Sequence, residues 1–187
     1  MKGEETRRRI VVAALELFSE RSYHDVSMEE IARRAGISKG GLFHHFPSKY
    51  ELAKEALFYG LEVWGREVIS KIQPLESAEE RLWAIIDASF DFVIHSLKFS
   101  RFFLEVYEES LKQKNGPDIW KAFGSEYLGI LEDIFREIGA ENPRARAFLL
   151  GALVDGFALD YLIFRDEVSV EEAKKEAFRI FTCTKRS

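Results

Sequence analysis

The chain of 187 residues has little of several things, and each shortage removes a class of function. Cys183 is the one cysteine, so no intrachain disulfide can form and a reducing compartment, the cytoplasm, is expected. Asn and Gln number two each beside 32% charged residues, a balance that leans toward a thermophilic source. The first residues, Lys2 and Arg7 to Arg9 followed by an amphipathic run, lack the apolar core of a signal peptide. No long apolar run suits a bilayer. The nearest, Ala147 to Phe164, gains roughly 3 to 6 kcal/mol from its Leu, Ile, Val and Phe residues, but Asp155 and Asp160 cost roughly 5 to 7 kcal/mol together. Enzyme signatures are missing too: no Glu-x-x-His pair, no phosphate loop ending in Gly-Lys-Ser/Thr, no Gly-x-Ser-x-Gly elbow. The four histidines, His24, His44, His45 and His95, lack metal-ligand spacing. Neither enzymatic activity nor a cofactor or metal is therefore expected.

What is present suits a soluble chain of one large or two small domains: 47% hydrophobic residues, including 16 Phe. The formal charge of −5 argues against non-specific coating of nucleic acid, and its distribution says more. Residues 1–50 carry nine Lys/Arg against seven Asp/Glu, or +2, and the remainder 18 against 25, or −7. A weakly basic head on an acidic body fits a protein that meets a polyanion at one end.

The pattern is helical throughout, with no strand alternation, repeat or low-complexity tract. Four Ser-x-x-Glu capping boxes mark helix starts: Ser27/Glu30, Ser48/Glu51, Ser77/Glu80 and Ser169/Glu172. Pro117 and Pro143 stand where first helical residues belong, the latter behind Asn142 as cap. Helices are expected at about 4–21, 27–35, 38–45, 48–72, 77–96, 98–114, 117–138, 143–165 and 169–183. This is an all-α fold, divided here into a DNA-binding domain at 1–47 and a ligand-binding and dimerisation domain at 48–187.

Residues 27–46, SMEEIARRAGISKGGLFHHF, read as a helix-turn-helix. Ser27 caps a short helix with Met28, Ile31, Ala32 and Ala35 inward; Gly36 supplies a positive φ at its end. Ser38 caps a second helix with Leu42 and Phe46 toward the core, and so tight a turn makes the two cross steeply. An ordinary helical hairpin has the same pattern, with Gly40 and Gly41 serving only close packing. Yet glycines inside a helix each cost about 1 kcal/mol relative to Ala, and a backbone that must approach DNA is a reason to bear it.

The phrase IARRAGISKGGLFHHFPSKYEL, with Ala14-Leu15-Glu16-Leu17-Phe18 upstream, resembles the signature of the TetR family of regulators over residues 6–58. Asp155-Gly156 is similar to a pair in that family's penultimate helix. The resemblance implies a dimeric, ligand-responsive regulator, a repressor in the usual case, that binds inverted-repeat operator DNA. It implies that Ser27 meets a phosphate, that Lys39 and Gly40 lie over base edges, and that His44, His45 and Lys49 touch phosphates. Ser38, Gly41 and Phe43 complete the DNA-facing set. Two of these depart from the family: Phe43 replaces a usual Tyr, and Gly41 removes a side chain that often reads bases. Arg7, Arg8 and Arg9 read equally as an arm on DNA or as a solvated helix start.

In the body, the segment 143–165 is apolar nearly all round, which self-association would explain, with Gly151, Ala152, Asp155 and Ala158 at the seam. The resemblance adds that its last two helices form the dimer. Rings crowd the middle of the chain, and Trp64, Phe90, Phe103, Tyr107, Trp120, Phe123, Tyr127, Phe157 and Tyr161 are the expected pocket for a small apolar or aromatic effector. His95, Glu105, Asp155 and Asp160 are candidate polar handles. Each ring alone also reads as core filler. A rival reading of the whole is a helical small-molecule carrier with a vestigial helix-turn-helix.

Overall fold

Why helices begin and end where they do is visible in their first and last turns. In the computed structural model, residues 2–114, 116–165 and 167–183 are described, and among them the chain forms nine α-helices and no strand. They are α1 (Lys2–Glu20), α2 (Met28–Arg34), α3 (Lys39–His45), α4 (Lys49–Ile72), α5 (Ala78–His95), α6 (Leu97–Leu111), α7 (Gly116–Glu137), α8 (Pro143–Phe164) and α9 (Val170–Thr182). A 3-10 turn at Tyr23–Asp25, which no sequence pattern announced, sits between α1 and α2.

Ser27 and Ser77 head full capping boxes, each serine accepting from the N–H three residues on while Glu30 or Glu80 accepts from the serine N–H. The other two are half-formed. Ser48 and Ser169 accept from Glu51 and Glu172, but the Glu51 carboxylate goes to Lys54 at 2.6 Å instead. Asn142 makes no side-chain cap, so Pro143 alone prepares the start of α8, by its preset φ. Gly36, at φ 66°, closes α2: its N–H donates to Arg33 O and that of Ile37 to Ala32 O, satisfying orphan carbonyls.

By packing, the chain divides into two units, residues 1–64 with 98–117, and residues 65–97 with 118–187. In the first unit, Ile10, Ala14, Leu17 and Phe18 of α1 meet Ile31 of α2, Leu42 of α3 and Phe46 in a core where each is at most 6% exposed. Phe102 of α6 joins that core, stacked on Phe18 with centroids 4.8 Å apart and planes at 17°. Arg7 is used structurally: it pairs with Glu55, donates to His45 O at 2.8 Å and lies 4.1 Å over the Phe46 ring. The guanidinium thereby ties α1 to the end of α3 and to α4.

The second unit packs α5 against α8 and α9. Leu82, Ile85, Ile86 and Phe90 of α5 are buried, as are Leu131, Ile134 and Phe135 of α7, Ala147 and Leu150 of α8, and Ala177 and Phe181 of α9. A charge enters this core. Lys174, 2% exposed, donates to Asp87 at 2.7 Å, Asp91 at 2.6 Å and Glu171 at 3.0 Å, bolting α9 to α5. The opposite side of α8 is bare, with Phe148 62% and Ile163 72% exposed and Leu149 and Leu159 beside them. No described helix is long and apolar enough to cross a membrane.

Candidate nucleic-acid interface

The α2–α3 pair holds its reading face out from the first unit. Leu42 and Phe46 anchor α3 inward, which turns Lys39, Gly40, Phe43 and His44 to solvent; His45 and Gly41 are half-buried. A Cβ built on Gly40 meets nothing within 4 Å, so no neighbour within the chain requires glycine there. At Gly41 a Cβ would come 3.3 Å from Ser38 Oγ, the atom that accepts from the Gly41 N–H at 3.1 Å to cap α3. Glycine at 41 thus has a local cause; glycine at 40 has none.

The other expected contacts are engaged within the chain. Ser27 gives its N–H to Glu30 at 2.9 Å and its hydroxyl to the same carboxylate at 3.0 Å. The Ser27 N–H first, then Arg21, hold the Glu30 carboxyl down at about 2. Lys49 lies 4.4 Å over the Tyr23 ring and donates to His24 O at 3.3 Å; burial pulls its pKa down despite the nearby carboxylates. Lys39, the first residue of α3, is paired with Glu29 of α2, both side chains well exposed. His44 and His45 approach edge to face at 5.7 Å.

One part of the head came from far along the chain. Glu105 of α6, expected as a polar handle for an effector, instead accepts from Ser22 Oγ and from the Tyr23 N–H, both at 2.7 Å. It thereby holds the link between α1 and α2 from outside the helix-turn-helix. Burial, with Glu109 and Tyr50 adding, pushes the Tyr23 hydroxyl up to about 12. Sequence reasoning missed this role because the partners lie 82 and 83 positions apart.

Two family descriptions match the chain: "Bacterial regulatory proteins, tetR family" over residues 10–56, and "BetI-type transcriptional repressor, C-terminal" over residues 78–180. The chain belongs to the TetR family of transcriptional regulators. It is 31% identical to the HTH-type transcriptional regulator BetI of Escherichia coli O17:K52:H18, over 82% of this chain and 80% of that one. It is 31% identical to the HTH-type transcriptional activator FasR of Mycolicibacterium smegmatis, over 79% of this chain and 67% of that one. A transcriptional regulator of Saccharomonospora viridis, solved in complex with choline, superposes with a TM-score of 0.82 at 22% identity, covering 97% of each chain. That last likeness concerns the fold.

Within the second unit, Phe90 and Phe157 lie 4.5 Å apart, and Tyr161 stacks on Phe157 at 5.6 Å. Tyr127 comes within 3.5 Å of Ser89 through its hydroxyl. Trp64, Phe103 and Tyr107 belong to the first unit, Trp120 is half-buried on α7, and the side chain of Phe123 lies outside the described residues. A separate cleft of about 420 Å³ is lined by Leu75, Glu79, Glu80, Trp83 and Phe178, outside the nine rings named above for the pocket. Of the remaining polar handles, His95 turns its Nδ1 to Asp91 O at 2.9 Å, and Asp160 is exposed. Partial burial pushes the Asp155 carboxyl up, although the residue keeps an exposed surface.

Three carboxylates could suggest a metal: those of Asp87, Asp91 and Glu171 lie within 4.8 Å of one another. The Lys174 ammonium already occupies their focus, so the charge a cation would bring is supplied by the chain.

On α8, Phe148, Ala152, Asp155, Leu159 and Ile163 follow one another at intervals of three or four and share the exposed side. Gly151 and Ala158 sit half-buried on its flank.

Proposed function

We propose that this regulator binds an inverted-repeat operator as a homodimer, represses in the usual case, and is released by a small organic effector. The observation that carries the reading is the front of α3. It combines an unneeded, exposed glycine at 40 with an exposed lysine at 39, on a helix anchored from behind by Leu42 and Phe46. A glycine in a helix is bought at about 1 kcal/mol, and close approach of the helix backbone to base edges is what it permits. Lys39 would donate to guanine O6 or N7; His44, His45 and Lys49 would set register on phosphates, and Phe43, with no hydroxyl, would give only contact. Residues 1–47 would form the reading domain and 48–187 the domain that senses and dimerises.

The exposed apolar side of α8 supports the dimer. A surface helix normally hides such side chains, and a second copy would cover Phe148, Leu159 and Ile163 with Ala152 and Asp155 at the centre. The effector's apolar or aromatic body would lie against the rings around Phe157. The choline bound by the Saccharomonospora viridis protein favours a second chemistry, since aromatic faces also attract quaternary ammonium ions.

Selection from a random duplex library tests the reading. The expected product is an inverted repeat whose half-sites lie about a helical turn or more apart, bound with a log–log salt slope steeper than about −3. A carrier with a vestigial helix-turn-helix would enrich no sequence.

A further inference from the structure

Lys39 is placed against helix energetics. It is the first residue of α3, where the positive end of the helix dipole disfavours a cation. It is also the one lysine or arginine of the reading helix, whose exposed side continues with Gly40, Phe43 and His44. What holds it in the free protein comes from the other helix of the motif: Glu29, second residue of α2, accepts the ammonium's hydrogen bond. The two side chains are 59% and 66% exposed, so the pair adds little to stability. Its neighbour Glu30 has different work, in the capping box and with Arg21 at 2.7 Å. Glu29 takes no part in that box; it is one of two acids in the first turn of α2, and Lys39 holds its carboxyl below the usual glutamate value. A carboxylate beside the reading helix would weaken binding to any polyanion unless it contributed to selection.

We infer that Glu29 and Lys39 act as one reading unit, in which Glu29 keeps the Lys39 ammonium over the base edges and makes the head selective for guanine there. An ammonium has three donors, so it can keep one on the carboxylate and give another to guanine O6 or N7. On a duplex without that acceptor, Lys39 could reach a phosphate only by leaving Glu29 unpaired against the backbone charge. Selectivity then comes from the carboxylate's penalty as much as from the lysine's attraction. The inference rests on the DNA-reading proposal above.

The experiment compares wild type, Glu29→Gln, Lys39→Ala and the double variant. Each is titrated against the duplex that wild type enriches from a random library and against its scrambled counterpart, by fluorescence anisotropy at several salt concentrations. Glu29→Gln is expected to leave the enriched duplex within about twofold and to tighten the scrambled one by about fivefold, the equivalent of ~1 kcal/mol. The salt slope on the scrambled duplex should steepen by about 0.9 per head as Lys39 gains a phosphate. Enrichment repeated with Glu29→Gln should lose guanine preference at the same position that Lys39→Ala relaxes, and the double variant should show no further loss. An equal tightening of both duplexes by Glu29→Gln, or the same selectivity change in the Lys39→Ala background, overturns the reading unit while leaving DNA recognition intact. If wild type enriches nothing, recognition itself fails, and the reading unit with it.

Discussion

Replacing Lys174 by Met removes the positive centre of the α5–α9 junction and leaves Asp87, Asp91 and Glu171 facing one another. Burial alone would pull the lysine's pKa down; its hydrogen bonds to Asp87, Asp91 and Glu171 outweigh that and raise it above the ordinary value. Breaking a buried pair by deleting one partner costs about 3–5 kcal/mol. Here the acids are 44%, 46% and 67% exposed, so water relieves part of the repulsion and a loss of ~2–3 kcal/mol is expected. For a chain of this size that lowers the Tm by roughly 4–12 °C. Because the folded pKa is raised, the wild-type contribution is complete below about pH 10.4, the unfolded lysine value, and fades as pH rises through the folded one. Circular-dichroism melts of both proteins at pH 7 measure it. Equal Tm there would refute the reasoning.

Other outcomes follow from the same geometry. Ala152→Arg should give monomers of unchanged helix content by light scattering, since it puts a long charged side chain where a small residue leaves room for a second copy on the exposed α8 side; a stable dimer would place the interface elsewhere. Glu105→Ala should weaken operator binding and lower stability by about 1–3 kcal/mol, because the Tyr23 N–H and Ser22 hydroxyl lose a charged acceptor; unchanged operator affinity would detach α6 from the head. An effector at 100 times its Kd should stabilise the chain by about 2.7 kcal/mol and lower operator affinity by 5–150-fold, with operator weakening effector binding equally. A panel of apolar, aromatic and quaternary ammonium compounds screened by melting shift tests this, and tight binders that leave the operator affinity untouched would sink it.

Helix positions and the turn of the reading motif were legible in the sequence because their causes are local. Ser27 and Glu30 are three apart, and Gly36 closes a turn with residues beside it. The boxes at Ser48 and Ser169 formed only in half; at Ser48 the Glu51 carboxylate pairs with Lys54 instead, a competition no four-residue pattern registers. The long-range polar contacts were not legible. Arg7 reaches Glu55 across 48 positions, Glu105 reaches Tyr23 across 82, and Lys174 reaches Asp87 across 87. A signal did exist for Lys174, which shares a helical stripe with Val170, Ala177 and Phe181, so a charge on an apolar face called for a partner. The front of α3 was readable as glycine and lysine, but that Lys39 has a standing partner in Glu29 depended on how α2 and α3 cross.

The most direct test of the central claim is the operator affinity of Gly40→Leu. The fold has open space at that Cβ, and leucine is the better helix former by nearly 1 kcal/mol, so the variant should keep its helix content and melt no lower than wild type. If the backbone at Gly40 closes on base edges, the added side chain collides with the major groove, and affinity for the enriched duplex should fall by roughly a hundredfold or more, about 3 kcal/mol. A well-folded Gly40→Leu protein that still binds that duplex with wild-type affinity would contradict the account.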